Sequence, residues 1–569
     1  MFFIRRSHSS VIVVSDSVQR MNPTDTRAVL CVAAIFLAFS LLHVPVPGVN
    51  EPHYLCKAKA TWDPGFCADD FFLTSASAHS VFFNVVGYFT QHFSLEQVAV
   101  AGRIISGTVL AWGWVALCAA FSLSRSGTVI AATLLALVSL TGNLSGEWIL
   151  GGFESKVSAW GLGFAGTACW LQSGKRTDRR CFVTTGFLLG LSVAVHPVVG
   201  TWQLIAVSIG ELMLLYFPLR QWVNVGIPLK STGFGFSRLL VMDGIALIVA
   251  LPGLIPVIRM LSGSDLNYWE RAAADRIQVF MRLGHHLDPS QFPPSSWIHS
   301  ATLLTVIGYC SRRLYKSGIQ SVLRQHLLLL VTAVLIAAVG LAVGFHQGPV
   351  LHLAEWSWRA FLLKFYPFRL IDTLLPVTAS LILTAMMMRI RNFRAAPSVR
   401  WIVPTVFVFV VLGISWRLRS DSPNFYRPDE HSAWIEACDW VRAETPEDSL
   451  FVTPRESVTF KWHAQRAEFV CFKDCPQDSA GILEWRKRLR KLAPLRPVQL
   501  KRPLKPSDLR RMQRNMQITH LITREHVVTD QTPVYENKVW RIYDVKLPST
   551  CSSLNGTNNS MEPTDDVVK

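Results

Sequence analysis

The stretch "AVLCVAAIFLAFSLLHVPVPGVNEPHYLCKAKATWDPGFCADDFF", residues 28–72, sets an apolar run directly against a loop crowded with ionisable groups. Residues 28–46 hold no Asp, Glu, Lys or Arg. As a helix rising 1.5 Å per residue they reach about 28 Å, close to the hydrocarbon thickness of a bilayer. The loop that follows carries Glu51, His53, Tyr54, Lys57, Asp69 and Asp70 together with Cys56 and Cys67. Ionised side chains keep their hydration, so the chain leaves the apolar phase here, and Pro47, Pro52 and Pro64 make the loop turn-rich.

The same alternation recurs along the chain. Its 569 residues are 50% hydrophobic and 17% charged, with mean hydropathy +0.29, which excludes an ordinary soluble protein. Further apolar runs lie near 98–121, 128–142, 157–172, 181–195, 198–217, 239–258, 299–310, 326–344, 370–388 and 401–416; with the first they make about eleven spans. Barrel strands would alternate and be shorter, so the expected fold is an all-α polytopic membrane helix bundle. The stretch 79–93, "HSVFFNVVGYFTQHF", reads as a helix lying in the membrane interface.

Net charge +17 invites a nucleic-acid partner, but its distribution argues against one. Arg5, Arg6, Arg20 and Arg27 precede the first span; Lys175, Arg176, Arg179 and Arg180 follow the fourth. Arg312, Arg313, Lys316 and Arg324 separate the eighth and ninth, and Arg389, Arg391 and Arg394 the tenth and eleventh. With a cytoplasmic N-terminus every cluster falls inside, so the charge encodes topology in the cell membrane. The loops 47–97, 143–156, 259–298 and 345–369 then face outside. The first twenty residues are too weakly apolar for a cleaved signal, and Met21 is an alternative start.

Four regions follow: a cytoplasmic segment 1–27, a transmembrane domain 28–416 containing the outer loop 47–97, an extracytoplasmic soluble α/β domain 417–548, and a disordered tail 549–569. Within the soluble domain "EHSAWIEACDWVRAET" and "GILEWRKRLRKL" read as helices, and "SLFVTP", "AEFVCF", "THLITRE" and "VWRIYDV" as short strands. Cys56 and Cys67 share one outer loop and are candidates for a disulfide. Cys471 and Cys475 form at most a metal half-site, without a matching His/Cys pair.

Glu51, Asp69 and Asp70 stand just beyond the first span, where a carboxylate can take a proton from an acceptor hydroxyl or hold a divalent metal ion. The alternative is that they solvate a turn. Arg103 enters the second span from the same side, where an arginine is costly unless it meets an anion such as a lipid phosphate. Arg359 and Arg369 approach the tenth span and are further phosphate-binding candidates, although Arg369 and Asp372, three apart on a helix, fit an internal ion pair. His53, Tyr54, Lys57, His79, His285, His286 and Asp372 are candidates to line a substrate cavity. His285 and His286 are adjacent, so a helix points them about 100° apart and they cannot easily share a metal. Glu154 and Lys156 open the fourth span from outside, and His196-Pro197 ends the fifth.

The order of parts, with "NEPHY" at Glu51 and "AGRIISG" at Arg103, resembles the GT-C superfamily of integral membrane glycosyltransferases that use polyprenyl-phosphate sugars. The resemblance implies Glu51 as catalytic acid or metal ligand, an arginine for the lipid phosphate, a polyprenyl-phosphate sugar donor and surrounding membrane lipids as partners. The tandem acid often found there is Asn50-Glu51 here, and no WWDYG-type signature is present. "NEPHYLCKAK", "HHLDP", "YPFRLIDTLLP", "TPRESVTFKW" and "EWRKRL" together resemble an uncharacterised family of multi-pass membrane proteins of planctomycete type, whose domain has no known function. A glycosyltransferase-like protein is therefore the leading expectation. A transporter would place polar groups at the midplane rather than at helix ends, and a non-catalytic envelope protein would use its outer domain to bind a partner.

Overall fold

The computed structural model describes residues 22–48, 50–173, 179–214, 216, 232–263, 265–315, 319–353, 355–389, 399–419, 426–455, 457–495, 503–524 and 531–545. The N-terminal segment through Met21, the tail 549–569, and Lys175, Arg176, Lys316, Arg391 and Arg394 lie outside the described residues. The chain divides into two units. The first comprises Met1–Asp63, Ser75–Phe425 and Cys475–Arg486; the second comprises Pro64–Thr74, Tyr426–Asp474 and Lys487–Lys569.

In the first unit the Asp25 carboxylate accepts the Ala28 amide and starts α1 (Thr26–His43). Next come α2 (Glu51–Trp62) and α3 (Ser80–Thr90). Ser94 and Gln97 then close a capping box that starts α4 (Leu95–Ala120). The bundle continues through α5 (Arg125–Ser139), α6 (Ser155–Ser173), α7 (Arg179–Val195), α8 (Pro197–Met213) and α9 (Thr232–Ser262). After the short α10 (Tyr268–Arg276) and α11 (Gly284–Leu287) follow α12 (Pro294–Leu314), α13 (Gln320–Gly344), α14 (Trp356–Leu363), α15 (Arg369–Met387) and α16 (Val399–Arg417). Each stretch read as a span falls on one of these helices. Five helices, α1, α4, α9, α13 and α15, are long and apolar enough to cross a membrane by length and composition. The protein is thus a polytopic helix bundle with a small C-terminal sheet domain.

Lipid provides little drive for helices to associate, so they meet where side chains are small. A Cβ on Gly113 of α4 would lie 2.0 Å from the Gly161 carbonyl oxygen of α6, so these two helices touch backbone to backbone. Gly186 and Gly190, one turn apart on α7, make the same approach to Met242 and Ala246 of α9, at 2.3 and 2.6 Å. At one end of the bundle Arg125 pairs with Asp25 at 2.7 Å, joining the starts of α5 and α1. The opposite end holds the C-terminus of α1 and the start of α4. Amphipathic α3 buries Phe82, Phe83 and Val86 and exposes Val85, Tyr88 and Phe89, as an interfacial helix should.

The second unit is a five-stranded sheet in the order β2-β1-β3-β5-β4. Its strands are β1 (Leu450–Val452), β2 (Ala467–Glu468), β3 (His520–Thr523), β4 (Tyr535–Glu536) and β5 (Arg541–Asp544). β1 runs parallel to β2 and β3, and β5 antiparallel to β3 and β4. Alternation along a strand separates the two faces. Ile522 and Ile542 enter a core with Trp434, Phe451 and Trp540 beneath α17 (Pro428–Glu444). Leu521 and Tyr543 enter another with Leu509 and Met512 of α20 (Pro506–Met516). Between them in sequence lie α18 (Phe460–Ala464) and α19 (Ser479–Leu492), the latter belonging to the first unit through Arg486. The expected strands and helices are present, while edge strand β4 carried too little apolar pattern to be read. The buried face of α17 is Ala433, Trp434, Ala437, Cys438 and Val441.

Candidate functional site

Glu51 opens α2 and is fully buried, its charge matched by Arg103 of α4. Arg103 Nε lies 2.7 Å from Glu51 Oε1 and its Nη2 lies 2.8 Å from Oε2, a bidentate fork. The Phe153 amide donates to Oε1 at 2.6 Å and the Gly48 amide to Oε2 at 2.5 Å. A carboxylate offers about four acceptor sites, and all are taken. The remaining Arg103 donors go to the carbonyls of Val44 at 2.9 Å, Pro45 at 2.6 Å and Ser40 at 3.5 Å. This corrects two expectations: Glu51 has no lone pair left for a substrate proton, and Arg103 has no N–H left for a lipid phosphate. Together they clamp the end of α1 to α2, α4 and the chain entering α6.

The ionisable groups that remain available gather next to this clamp, around the loop between α5 and α6. Asp372, in the first turn of α15, accepts the amides of Leu144 at 2.9 Å, Ser145 at 2.9 Å and Glu147 at 3.1 Å, and the Ser145 hydroxyl at 2.7 Å. It is an anchor for the loop backbone, and the expected Arg369–Asp372 pair does not form. Arg369 instead directs Nε to Glu147 Oε2 at 3.2 Å and lies 4.0 Å over the Tyr366 ring. Gly146, with φ +73°, permits the turn that brings Glu147 there. Lys156 lies 3.7 Å from Glu147 Oε2, 3.4 Å from Glu154 Oε2 and 3.8 Å from the Trp148 ring centre. Asn50 Nδ2 donates to Glu154 Oε1 at 2.6 Å. The Tyr54 hydroxyl stands in the field of Glu154, Arg369, Tyr366 and Glu147, and burial together with Glu154 raises its pKa.

Glu147 was missed in the sequence, although it shares with Glu154 a glycine-rich loop between two apolar runs, the one available signal. The other expected residues divide. Lys57 holds the loop, donating to the Ser75 carbonyl at 2.8 Å and hydroxyl at 2.9 Å. Arg359 is held at α13, where Nη1 donates to the Val343 carbonyl at 2.9 Å. His53 packs its ring 5.5 Å from Tyr54. His79 lies 4.6 Å from the His196 ring, and Tyr54 is 5.5 Å away. His285 and His286 have ring centres 4.0 Å apart, and His286 Nδ1 faces the Ser145 carbonyl at 2.5 Å.

His79 and His286 carry a pH signature. Burial, helped by His53 and Arg369, lowers the His79 pKa from 6.5 to about 3. Burial and His285 likewise bring His286 to about 3. An unfolded histidine binds its proton near pH 6.5 and these do not, so their stabilisation is present above pH 6.5 and is lost as pH falls below it. Melting midpoints in detergent should drop between about pH 6.5 and 4.5, with up to about 1.4 kcal/mol per pH unit from each histidine. His286→Gln, which can still donate to Ser145, should flatten that slope; an unchanged slope would contradict the assignment.

The second unit holds the remaining predicted acids. Asp69 is exposed. Asp70 is buried, and its Oδ1 caps the amides of Phe72 and Leu73 at 3.0 Å each. Its Oδ2 accepts the Glu468 amide at 3.1 Å and lies 3.4 Å from Lys461 Nζ. Lys461 also meets Glu468 and Asp474 at 2.6 Å each. Burial alone would lower the Lys461 pKa, but Asp474, Asp70 and Glu468 more than reverse this and keep it charged. Burial raises Glu468 despite Lys461. Asp70 is therefore a structural acid, correcting its expected catalytic role. Glu468, Cys471 and Asp474 place three possible metal-ligand atoms within 4.8 Å of one another, and the Lys461 ammonium supplies positive charge at the same place. The expected Cys56–Cys67 disulfide is not formed among the described residues; Cys56 belongs to the first unit and Cys67 to the second.

Comparison with known proteins gives a family described as "Domain of unknown function (DUF6798)" over residues 432–492. No curated protein matches the sequence. Among solved structures, the oligosaccharyltransferase AglB from Archaeoglobus fulgidus, in complex with an inhibitory peptide and a dolichol-phosphate, is 11% identical with a TM-score of 0.43 over 87% of this chain and 69% of that one. A second A. fulgidus oligosaccharyltransferase structure, with zinc and sulfate, gives 12% identity and a TM-score of 0.41 over 87% and 67%. ArnT from Cupriavidus metallidurans bound to undecaprenyl phosphate gives 12% and 0.38 over 94% and 99%. The protein is a multi-pass membrane helix bundle whose residues 432–492 match a family of unknown function.

Proposed function

We propose that the protein is a membrane transferase that takes a sugar from a polyprenyl-phosphate carrier, with its site at the end of the bundle where α4, α6 and α15 begin. The observation that carries this reading is the state of Arg369. Its Nε faces Glu147, while its two terminal amino groups make no hydrogen bond among the described residues. Lys156, buried, approaches its carboxylates no closer than 3.4 Å. By contrast, Arg103 has every donor engaged and Lys461 sits at 2.6 Å from two acids. A guanidinium fork beside a loosely held ammonium suits a phosphate monoester. Glu147 orients both cations, and Glu154 is the carboxylate placed to take a proton from an acceptor hydroxyl. Arg369 and Lys156 would then stabilise the departing lipid phosphate. The basic clusters at the other helix ends support an extracytoplasmic site with the N-terminus in the cytoplasm.

The test is retention of undecaprenyl phosphate by the full chain in neutral-lipid nanodiscs. Arg369→Gln should weaken it by about 10- to 100-fold, with Arg442→Gln, an exposed change in the second unit, leaving it unaltered. Equal retention by Arg369→Gln and wild type would remove the reading.

A further inference from the structure

His196 stands between α7 and α8 and caps the latter. Its Nδ1 accepts the Val199 amide at 3.3 Å. A ring nitrogen that accepts a backbone N–H carries no proton of its own, so the neutral ring must hold its proton on Nε2. The cap thereby locks one tautomer. Because Nδ1 faces the start of α8, the Nε2–H edge is turned away from that helix. His196 is buried, its ring centre lies 4.6 Å from that of His79, and it lies within electrostatic reach of Arg369 and Lys156. His79 supplies an independent sign that this region takes a ligand. It is 7% exposed, and its Nδ1 is a buried polar atom with no hydrogen-bond partner among the described residues. A buried polar atom without a partner costs free energy unless something absent from the bare chain meets it.

We infer that His196 is a ligand-binding residue whose tautomer-locked Nε2–H donates to the phosphate group held by Arg369 and Lys156, with His79 beside it on the same wall. This rests on the phosphate-binding reading of the site and adds to it an uncharged donor fixed by a helix cap. Both histidines lie among cations, where a neutral donor adds a hydrogen bond without adding repulsion. The role requires one side chain to do two things: accept from Val199 and donate to the ligand. Asparagine can do both through its carbonyl and amide, whereas aspartate can only accept, and both are strong N-cap residues.

The experiment compares full-length wild type, His196→Asn and His196→Asp in neutral-lipid nanodiscs, measuring binding of undecaprenyl phosphate, phosphatidylglycerol and inorganic phosphate in separate arms, with melting midpoints recorded alongside. In whichever arm wild type binds, His196→Asp should lose at least about tenfold in affinity, while His196→Asn should stay within about threefold and both should melt close to wild type. Binding by His196→Asp equal to wild type overturns the inference while leaving the Arg369 reading intact; no binding by wild type in any arm overturns both. A readout that needs no variant is the 15N spectrum of histidine-labelled wild type. It should show His196 protonated at Nε2, with that signal shifting on ligand addition, and an Nδ1-protonated His196 contradicts the inference.

Discussion

Arg103→Leu should destabilise the first unit by about 3–5 kcal/mol, the usual effect of removing one partner from a buried ion pair. The Glu51 carboxylate would keep only the amides of Gly48 and Phe153, at 2.5 and 2.6 Å, while remaining fully buried. The carbonyls of Val44 and Pro45 would lose their donor at the same time. In detergent the variant should melt well below wild type, and the double change Glu51→Leu with Arg103→Leu should be less damaging than the sum of the two single changes. A shift below about 1 kcal/mol for Arg103→Leu, or strict additivity, would show that the clamp is not coupled. The same result bears on chemistry. On the proposed reading, a Glu51 variant should lose ligand retention in proportion to lost fold, whereas Arg369→Gln, which also breaks its pair with Glu147, should lose more retention than its melting shift accounts for.

Lys461→Met should be comparably damaging to the second unit, again by about 3–5 kcal/mol. Three carboxylates, Asp70, Glu468 and Asp474, would be left facing one another without their ammonium. Tryptophan fluorescence is a suitable probe because Trp434 and Trp540 are fully buried in the sheet core. The effect should depend on pH. Without the lysine the buried acids bind protons more readily folded than unfolded, as Glu468 already does. The stabilisation gained by protonation is present at low pH and lost as pH rises, so the deficit of Lys461→Met relative to wild type should shrink between pH 8 and 5. A deficit constant over that range, or a fully stable variant, would mean that the acids do not depend on Lys461.

Much of the architecture was legible without coordinates. Apolar length and the placement of Arg and Lys marked the helices and their ends, and turn residues and alternation marked the small sheet. The candidate site was legible only as a neighbourhood. Glu51 stood out because it follows the first span, but its role depends on Arg103, 52 residues on, and on the amide of Phe153, 102 residues on. Asp372 looked like a partner for Arg369 at helical spacing, yet it reaches back to the loop at Leu144 and Ser145. Asp70 looked like a companion to Glu51 and is held by the Glu468 amide, 398 residues away.

By itself the amino-acid sequence determined the membrane class, the succession of helices and the end of the bundle at which ionisable groups gather. These are set by hydration and by helical and strand periods, which act over a few residues. Which of those groups remain able to meet a ligand was decided only by the tertiary structure. A buried carboxylate or guanidinium is neutralised and saturated by whatever the fold brings against it, and that inventory of donors and acceptors comes from segments remote in the chain.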